Sequence, residues 1–360
     1  MNKIFSELAV VVLFWNNSEK TIKCLNSIFN QKKLKLNIVL VNNNSEKKYS
    51  KDIIHWLHKK KIRLIKIKKN HKIQKNKLDK ICYYIKNDEN YGCGLGHNPG
   101  YEFCLNNKFK YIARIDNDMI VPKNTIFNLV KRLESNKKII AVSPKVMFAQ
   151  KPKLVWWRGS EIGNNLKFQR NCASYSAKGH LDQKKFKGLI KTDAICGCAS
   201  IMRSEKLKET GLSDPEFFYG EEDTELSIRL IKNGGYLMAD LNEKIYHHIS
   251  LTVGTNWSKN IYYNYKYRLL LIKKIGTISD KIFGYSFAIL KLLLSLLFVF
   301  NLKNSSKMIQ RYYGIKHFLQ NKFGDFDRKN YIKINKYFCK INKKTNVKDL
   351  IRILDGKNRI

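Results

Sequence analysis

Short apolar runs alternate with helix-periodic stretches over the first 150 residues. The apolar runs of strand type occupy residues 8–14, 36–43, 81–85, 111–116 and 139–146. Apolar residues at helical spacing lie between them, around residues 22–29, 53–57, 101–105 and 123–135. Strands that alternate with helices are typical of an α/β fold with a mostly parallel sheet flanked by helices. Ligands of such sheets bind beyond the carboxyl ends of the strands.

Two stretches interrupt this alternation. Residues 58–80 are rich in Lys and Arg and flank a short candidate edge strand at 62–67. They are either a solvated basic excursion or a contact for anionic lipid or a phosphate-bearing acceptor. Residues 150–190 have no clear period, and we predict an inserted loop region there.

An apolar segment of 19 residues lies at 282–300 and contains one charge, Lys291. That length just suffices to span a bilayer, and lysines flank both ends. Three interpretations remain open: an interfacial helix, a spanning helix, or a buried helix of a C-terminal domain. We predict a main domain at 1–270 and a helical, membrane-associated region at 271–360.

The chain is strongly basic, with 69 Lys and Arg against 29 Asp and Glu and a net charge of +40. Such a charge favours anionic partners, namely nucleic acid, an acidic membrane surface or phosphate-bearing substrates, although lysines spread over a solvated surface need no partner. The sequence has no helix-turn-helix or zinc-finger signal, so we expect no nucleic acid partner. Its eight cysteines form no CxxC pair, and the first residues lack a signal-peptide pattern, so we expect a cytoplasmic protein.

The run YIARIDNDMIV places two carboxylates, Asp116 and Asp118, directly after a predicted strand. In an extended chain, residues two apart share a face. Two carboxylates on one face repel each other unless a cation lies beside them, and Mg²⁺ or Mn²⁺ prefers such oxygen ligands. Taken alone, the pattern is either a chance pair in a surface turn or a divalent-metal site, in which the ion can neutralise a diphosphate leaving group.

Two further stretches surround this pair in the sequence. A glycine-rich run at 89–105 opens a predicted helix, where the backbone can approach a ligand closely. Residues 221–223 are Glu-Glu-Asp at the start of another predicted helix, after the aromatic run FFYG. Helix capping requires one carboxylate at most, so three in succession indicate chemistry.

These motifs, in this order, resemble those of an inverting family 2 glycosyltransferase of the GT-A fold, in its rhamnosyltransferase-like branch. The resemblance covers residues 8–270. The motifs that carry it are FWNN (14–17), VNNNS (41–45), NYGCGLGHNPG (90–100), DND (116–118), CGCASIMR (196–203), GLSDPEFFYGEEDTELSIR (211–229) and YHHISLT (246–252).

The resemblance implies a role for each matching residue. Asp116, Asp118 and His247 would bind the metal on the nucleotide diphosphate, with His248 as the alternative to His247. Asp223 would be the general base, with Glu222 beside it. The residues implied in nucleotide-sugar binding, besides Asp116, are Asn16, Asn42, Asn90, Gly96, Asn98, Gly197 and Ala199. Since Asn42 stands where the family usually has Asp, the nucleotide is left open between a UDP- and a dTDP-linked donor.

The sequence thus predicts a metal-dependent enzyme that transfers a hexosyl or rhamnosyl unit from a nucleotide sugar to a glycan or lipid-linked acceptor. We expect it to build surface polysaccharide or glycoconjugate on the cytosolic face of a membrane, where anionic lipid attracts its charge. The alternatives are a catalytically inactive scaffold of the same fold and a basic nucleic-acid-binding protein.

Overall fold

The computed structural model describes most of the chain. The described residues are 7–31, 36–67, 81–162, 180–248, 257–297 and 302–325. The predictions that concern residues 68–80, 249–252 and 298–300 therefore lie outside the described residues.

The first half of the sheet is parallel, as predicted. Its strands, in the spatial order β3-β4-β2-β1-β5, are β1 (Leu8–Phe14), β2 (Asn37–Asn42), β3 (Arg63–Lys66), β4 (Ile81–Lys86) and β5 (Tyr111–Ile115). The helices that connect them are α1 (Ser18–Phe29), α2 (Lys47–Lys59) and α3 (Gly94–Asn106). Both faces of β1, β2 and β5 are buried, which explains why their sequences are continuous apolar runs.

The second half of the sheet departs from the predicted parallel arrangement. Its strands are β6 (Met119–Ile120), β7 (Ile139–Phe148), β8 (Lys151–Trp157), β9 (Leu189–Thr192), β10 (Ala199–Arg203) and β11 (Tyr236–His247). The helices of this part of the chain are α4 (Thr125–Ser135), α5 (Ser204–Thr210) and α6 (Glu222–Lys232). Strand β10 lies between β5 and β7 and is antiparallel to both. Only β11 pairs with β7 in parallel, while β6, β8 and β9 pair antiparallel. The central sheet is therefore mixed.

The region 150–190, which we predicted to be an inserted loop, contains regular structure at both ends. Strand β8 continues directly from β7 through a tight turn, and β9 begins at Leu189. Two lysines and a proline at the first three positions of β8, Lys151, Pro152 and Lys153, hide its strand pattern in the sequence. The interior of this region, residues 163–179, lies outside the described residues.

Helices pack on both faces of the sheet around two apolar clusters. Helix α3 comes especially close to β1 and β2, because Gly100 faces them. A Cβ atom at Gly100 would lie 2.6 Å from Val11 Cγ1 and 3.0 Å from Val41 Cγ2, so only glycine permits this approach. The close packing fixes the loop before α3 against the carboxyl ends of the strands.

The contacts divide the chain into two compact units, one built from β1–β11 with α1–α6 and one that includes residues 216–221 and everything after His248. The second unit contains α7 (Trp257–Ile275), α8 (Ile278–Leu296) and α9 (Leu302–Leu319). The predicted boundary after residue 270 falls inside α7. Within the described part of the chain, no helix is long and apolar enough to cross a membrane.

Candidate active site

The two aspartates of the DND motif lie in a turn between β5 and β6. The Asp116 backbone N–H donates to the Cys198 carbonyl at 2.9 Å, and the Met119 N–H donates back to the Asp116 carbonyl at 3.2 Å. We predicted both carboxylates on one face of an extended chain. The turn instead gives the two carboxylates separate surroundings at the same end of the sheet.

The Asp118 carboxylate lies against His247 and Lys20. Its Oδ1 is 3.1 Å from His247 Nε2, and its Oδ2 is 4.0 Å from Lys20 Nζ. The backbone of His248 holds this arrangement in place, because its N–H donates to the Asp118 carbonyl at 2.8 Å and its carbonyl accepts from Lys20 Nζ at 3.0 Å. Of the two candidate histidines, His247 therefore presents its ring to Asp118, and His248 contributes its backbone.

The Asp116 carboxylate lies beside the buried guanidinium of Arg114. Asp116 Oδ1 is 3.6 Å from Arg114 Nε and 3.9 Å from His97 Nε2. Arg114 Nη2 also lies 3.2 Å from Glu222 Oε1, so one cation serves two carboxylates from different elements. Burial raises the pKa of the Asp116 carboxyl, and the charge of Arg114 opposes that rise.

The two acidic residues at the start of α6 differ in their exposure. Glu222 is buried, with 6% of its surface exposed, and it faces Arg114. Asp223 is partly exposed, and its Oδ2 accepts the Gly197 N–H at 3.1 Å. A Cβ atom at Gly197 would lie 2.6 Å from that same oxygen, so glycine is required there. Asp223 is therefore the carboxylate of the pair that a ligand can reach.

Burial raises the pKa of Glu222 from 4.5 to about 7, and the neighbouring charge of Asp223 adds to the rise. Between these two pH values the folded protein keeps a proton that the unfolded chain has released. Stability therefore falls as the pH rises through this window, and the loss is complete above the folded pKa. We expect Glu222→Gln, which keeps the neutral form at every pH, to flatten this loss by about 1–3 kcal/mol.

Urea unfolding in the presence of EDTA at about pH 5 and about pH 7.5 would measure this difference. Glu102→Gln, on the exposed side of α3, is the matched control. Its free energy of unfolding should change with pH as that of the unmodified protein does. If the free energy of unfolding changed equally between the two pH values in all three proteins, the raised pKa of Glu222 would be contradicted.

Most residues that the resemblance assigned to the nucleotide make hydrogen bonds within the protein. The Asn42 side chain donates to Tyr84 Oη and accepts from the Ser45 N–H, both at 2.7 Å. Asn98 exchanges two hydrogen bonds with the Ser213 backbone, at 2.8 and 3.1 Å. These amides shape the loops of the site, and their polar atoms have protein partners.

Asn16 and Asn90 act on loops in a similar way. The Asn16 side chain accepts from the Glu46 N–H at 3.0 Å, ahead of α2. Asn90 Oδ1 accepts from Asn43 Nδ2 at 2.7 Å and from the Gly92 N–H at 3.0 Å. Gly96 packs so closely on Asn43 that a Cβ atom would lie 3.0 Å from its Nδ2.

A family model for glycosyl transferase family 2 matches residues 9–211, which is more than half of the chain. The chain belongs to this family. The match begins in β1 and ends after α5, so it contains Asp116 and Asp118 but stops before Asp223 and His247. A comparison with curated proteins found no match to the sequence.

Solved structures similar to this family 2 protein share a GT-A-like fold. The mannosyltransferase PcManGT from Pyrobaculum calidifontis, in complex with GDP-Man and Mn²⁺, has a TM-score of 0.51 at 12% identity, over 98% of this chain and 84% of that one. TarS 1–349 of S. aureus has a TM-score of 0.50 at 12% identity, over 88% and 89%. GalNAc-T7 with UDP, GalNAc and Mn²⁺ has a TM-score of 0.50 at 17% identity, over 67% of this chain and only 42% of that one. At these identities the likeness shows the fold alone.

The residues of this family 2 protein offer part of a metal site. Asp118 and His247 are close enough to share an ion, and His247 Nδ1 is buried with no hydrogen-bond partner. Asp116, the third predicted ligand, faces Arg114 instead. No group of three or more His, Cys, Asp and Glu side chains in the described residues is placed to hold an ion. Asp118 and His247 therefore supply two donors, a carboxylate and an imidazole, of kinds that divalent metals accept.

Four residues of the site were not predicted from the sequence of this family 2 protein, namely Lys20, Asn43, His97 and Arg114. A signal existed for Arg114, since it is the one cation in the apolar run YIARID and a buried charge needs a partner. Asn43 also accepts from Asn87 Nδ2 and the Tyr91 N–H, at 2.9 and 3.1 Å, which organises the loop before α3. No local pattern marks Lys20, because its partners Asp118 and His248 are distant in sequence. His97 lies within the motif at 90–100, and its Nδ1 is 2.7 Å from the Cys93 carbonyl, but its neighbour Asp116 is distant in sequence.

Proposed function

We propose that this protein transfers a hexosyl or rhamnosyl unit, with inversion, from a nucleotide-diphosphate sugar to a hydroxyl of a glycan or lipid-linked acceptor. The observation that carries the proposal is the pair of carboxylates at the start of α6. Glu222 is buried against Arg114, whereas Asp223 is accessible and is held by the Gly197 N–H. A single accessible carboxylate, held in one orientation, suits a reaction in which the acceptor hydroxyl displaces the diphosphate in one step.

Asp223 is the proposed general base. It takes the proton of the acceptor hydroxyl while the hydroxyl oxygen bonds to the anomeric carbon. The bond between that carbon and the diphosphate oxygen breaks in the same step, and the diphosphate leaves from the opposite face. The Gly197 N–H holds the carboxylate in one orientation, which lowers the entropy cost of reaching the reactive geometry.

Asp116, Asp118 and His247 form the proposed diphosphate end of the site. A divalent metal bound there, Mn²⁺ or Mg²⁺, would neutralise the charge of the departing diphosphate. Lys20 lies 4.0 Å from Asp118 and adds a positive charge at the same place. A UDP- or dTDP-linked donor is the proposed substrate. Two of the similar structures were solved with UDP or GDP-Man together with Mn²⁺, which supports a nucleotide sugar as the donor.

The proposed setting is the cytosolic face of a membrane. Nucleotide sugars are charged and water-soluble, whereas a lipid-linked acceptor presents its hydroxyl at the bilayer surface. The net charge of +40 favours an anionic surface. Transfer at that surface would contribute to a polysaccharide or glycoconjugate.

Donor hydrolysis by the purified protein tests the proposed function. The assay measures nucleotide release from UDP-, dTDP- and GDP-sugars with Mn²⁺, with Mg²⁺ and with EDTA. We expect slow release from one donor, stimulated by metal and lost with EDTA, because water can replace the acceptor. That donor would identify the nucleotide and the sugar.

Two outcomes would contradict the proposal. If no donor is hydrolysed and none binds in calorimetry, the protein is an inactive scaffold of the same fold. If no donor binds but DNA or RNA binds with a steep dependence on salt, the basic charge serves nucleic acid.

A further inference from the structure

Helix α8 presents a broad apolar face to solvent. Nine of its large apolar side chains are 42–78% exposed, and they are Ile278, Ile282, Phe283, Ile289, Leu290, Leu293, Leu294, Leu296 and Leu297 at its carboxyl end. Only two polar side chains, Ser279 and Ser286, are exposed between them in the described helix. A contiguous patch of this kind on a protein surface marks an interaction site.

The opposite face of α8 is packed within its own unit. Asp280, Gly284, Ala288 and Ser295 are buried there at intervals of four and seven residues, which form one stripe along the helix. A Cβ atom at Gly284 would lie 2.5 Å from Ile272 Cδ1, so α8 packs tightly on α7. The outward apolar face is therefore fixed by the packing of the inward face.

The charges around this face are positive. Residues 257–325 contain 12 Lys and Arg and only 2 Asp, with no Glu. Asp280 is buried and accepts the Thr277 N–H in a capping box, so it does not offset these charges at the surface. On α8 itself Lys281 and Lys291 are partly exposed, and Lys273 is exposed at the end of α7, where the next residue, Lys274, is paired with Glu216.

We propose that the outward face of α8 lies in the interface of an anionic lipid bilayer, with the helix axis parallel to the membrane plane. The apolar side chains would enter the boundary between headgroups and acyl chains, to about 5–10 Å. The lysines at the borders of the face would lie at the level of the phosphates, with their apolar stems directed inward. This surface would position the proposed transferase beside a lipid-linked acceptor. The inference rests on the proposed function for its purpose, but it involves no catalytic residue.

Charge argues against two other occupants of the face. A second copy of the chain would bring two strongly positive surfaces together. Residues 326–360 carry 11 Lys and Arg against 3 Asp, so they are also positive. An anionic bilayer is the partner that complements both the apolar face and its charged borders.

Vesicle sedimentation of the full chain tests this inference. We expect binding to phosphatidylcholine vesicles with about 30% phosphatidylglycerol, and binding about 10-fold or more weaker to phosphatidylcholine alone or at high salt. Leu290→Glu with Leu293→Glu should reduce binding at least about 10-fold, because it places two negative charges in the apolar face. Leu290→Ser with Leu293→Ser should give an intermediate loss that salt does not restore.

Leu181→Glu is the matched control, because Leu181 is 61% exposed on the other unit. It should bind vesicles as the unmodified protein does. No binding to anionic vesicles, or equal binding by the double Glu variant, would overturn the inference. Dimers in analytical ultracentrifugation that the double Glu variant abolishes would assign the face to a second copy.

Donor hydrolysis in solution separates this inference from the proposed function. The double Glu variant should hydrolyse the donor at the normal rate, since α8 carries no residue of the candidate active site. Vesicle binding without hydrolysis by any variant would leave the membrane surface standing and remove the proposed chemistry. Normal hydrolysis without vesicle binding would support the proposed chemistry and overturn the membrane surface.

Discussion

Asp223→Asn is expected to lower transfer by at least about 10²-fold while donor binding stays close to normal. Asparagine has nearly the same shape and can still accept the Gly197 N–H, but it cannot take a proton from the acceptor. The measurement is a steady-state transfer assay with the donor found by the hydrolysis panel, combined with calorimetry of donor binding. The loss should appear in kcat and not in the donor Kd.

Two further variants sharpen this result. Asp88→Asn, at an exposed position, is the matched control and should transfer normally. Gly197→Ala keeps the Asp223 carboxylate but must displace it, since the new methyl would lie 2.6 Å from its Oδ2, and we expect a loss in kcat as well. Normal turnover by Asp223→Asn would exclude Asp223 as the base.

Asp118→Ala is expected to abolish metal-dependent donor binding. In the unmodified protein, Mn²⁺ should tighten binding of the donor, and EDTA should weaken it to the level of the variant. The reason is that Asp118 Oδ1 and His247 Nε2 are 3.1 Å apart and form the part of the site best placed to hold an ion. Removal of the carboxylate leaves His247 with the positive charge of Lys20 and without a balancing anion.

Calorimetry of donor binding with Mn²⁺ and with EDTA measures this effect, and Mn²⁺ binding in the absence of donor measures it independently of activity. Asp88→Ala is the control for loss of one negative charge. If Asp118→Ala binds donor and Mn²⁺ like the unmodified protein, Asp118 is not a metal ligand. In that case Lys20 and Arg114 would supply the positive charge at this end of the site.

The sequence pattern was sufficient for the parallel half of the fold. Strands β1, β2, β4 and β5 are buried on both faces, so their apolar runs are continuous and easily recognised. The pattern could not reveal the position of β10, because strand order depends on contacts between residues that are 59 to 92 positions apart in the chain. An apolar run such as ASIM looks the same in the sequence whether its strand pairs parallel or antiparallel with its neighbours.

The candidate site was predictable to a similar degree. The motifs selected Asp116, Asp118, Asp223 and His247 because each lies at or beside the end of a regular element, at a recognisable spacing. The partners of these residues come from elsewhere in the chain, as Lys20 and Arg114 illustrate. For the asparagines the motif predicted contacts with the nucleotide, and the hydrogen bonds that Asn42 and Asn98 make within the protein became visible only in the folded structure.

The insertion of β10 between β5 and β7 has a consequence for synthesis of the chain. Strand β5 is complete at Ile115, but its free edge is covered only when β10, beginning at Ala199, has left the ribosome. Until then the growing sheet exposes an unpaired apolar strand, which is a template for aggregation. We therefore expect the interval between the synthesis of β5 and that of β10 to be the stage at which the nascent chain is most prone to aggregate.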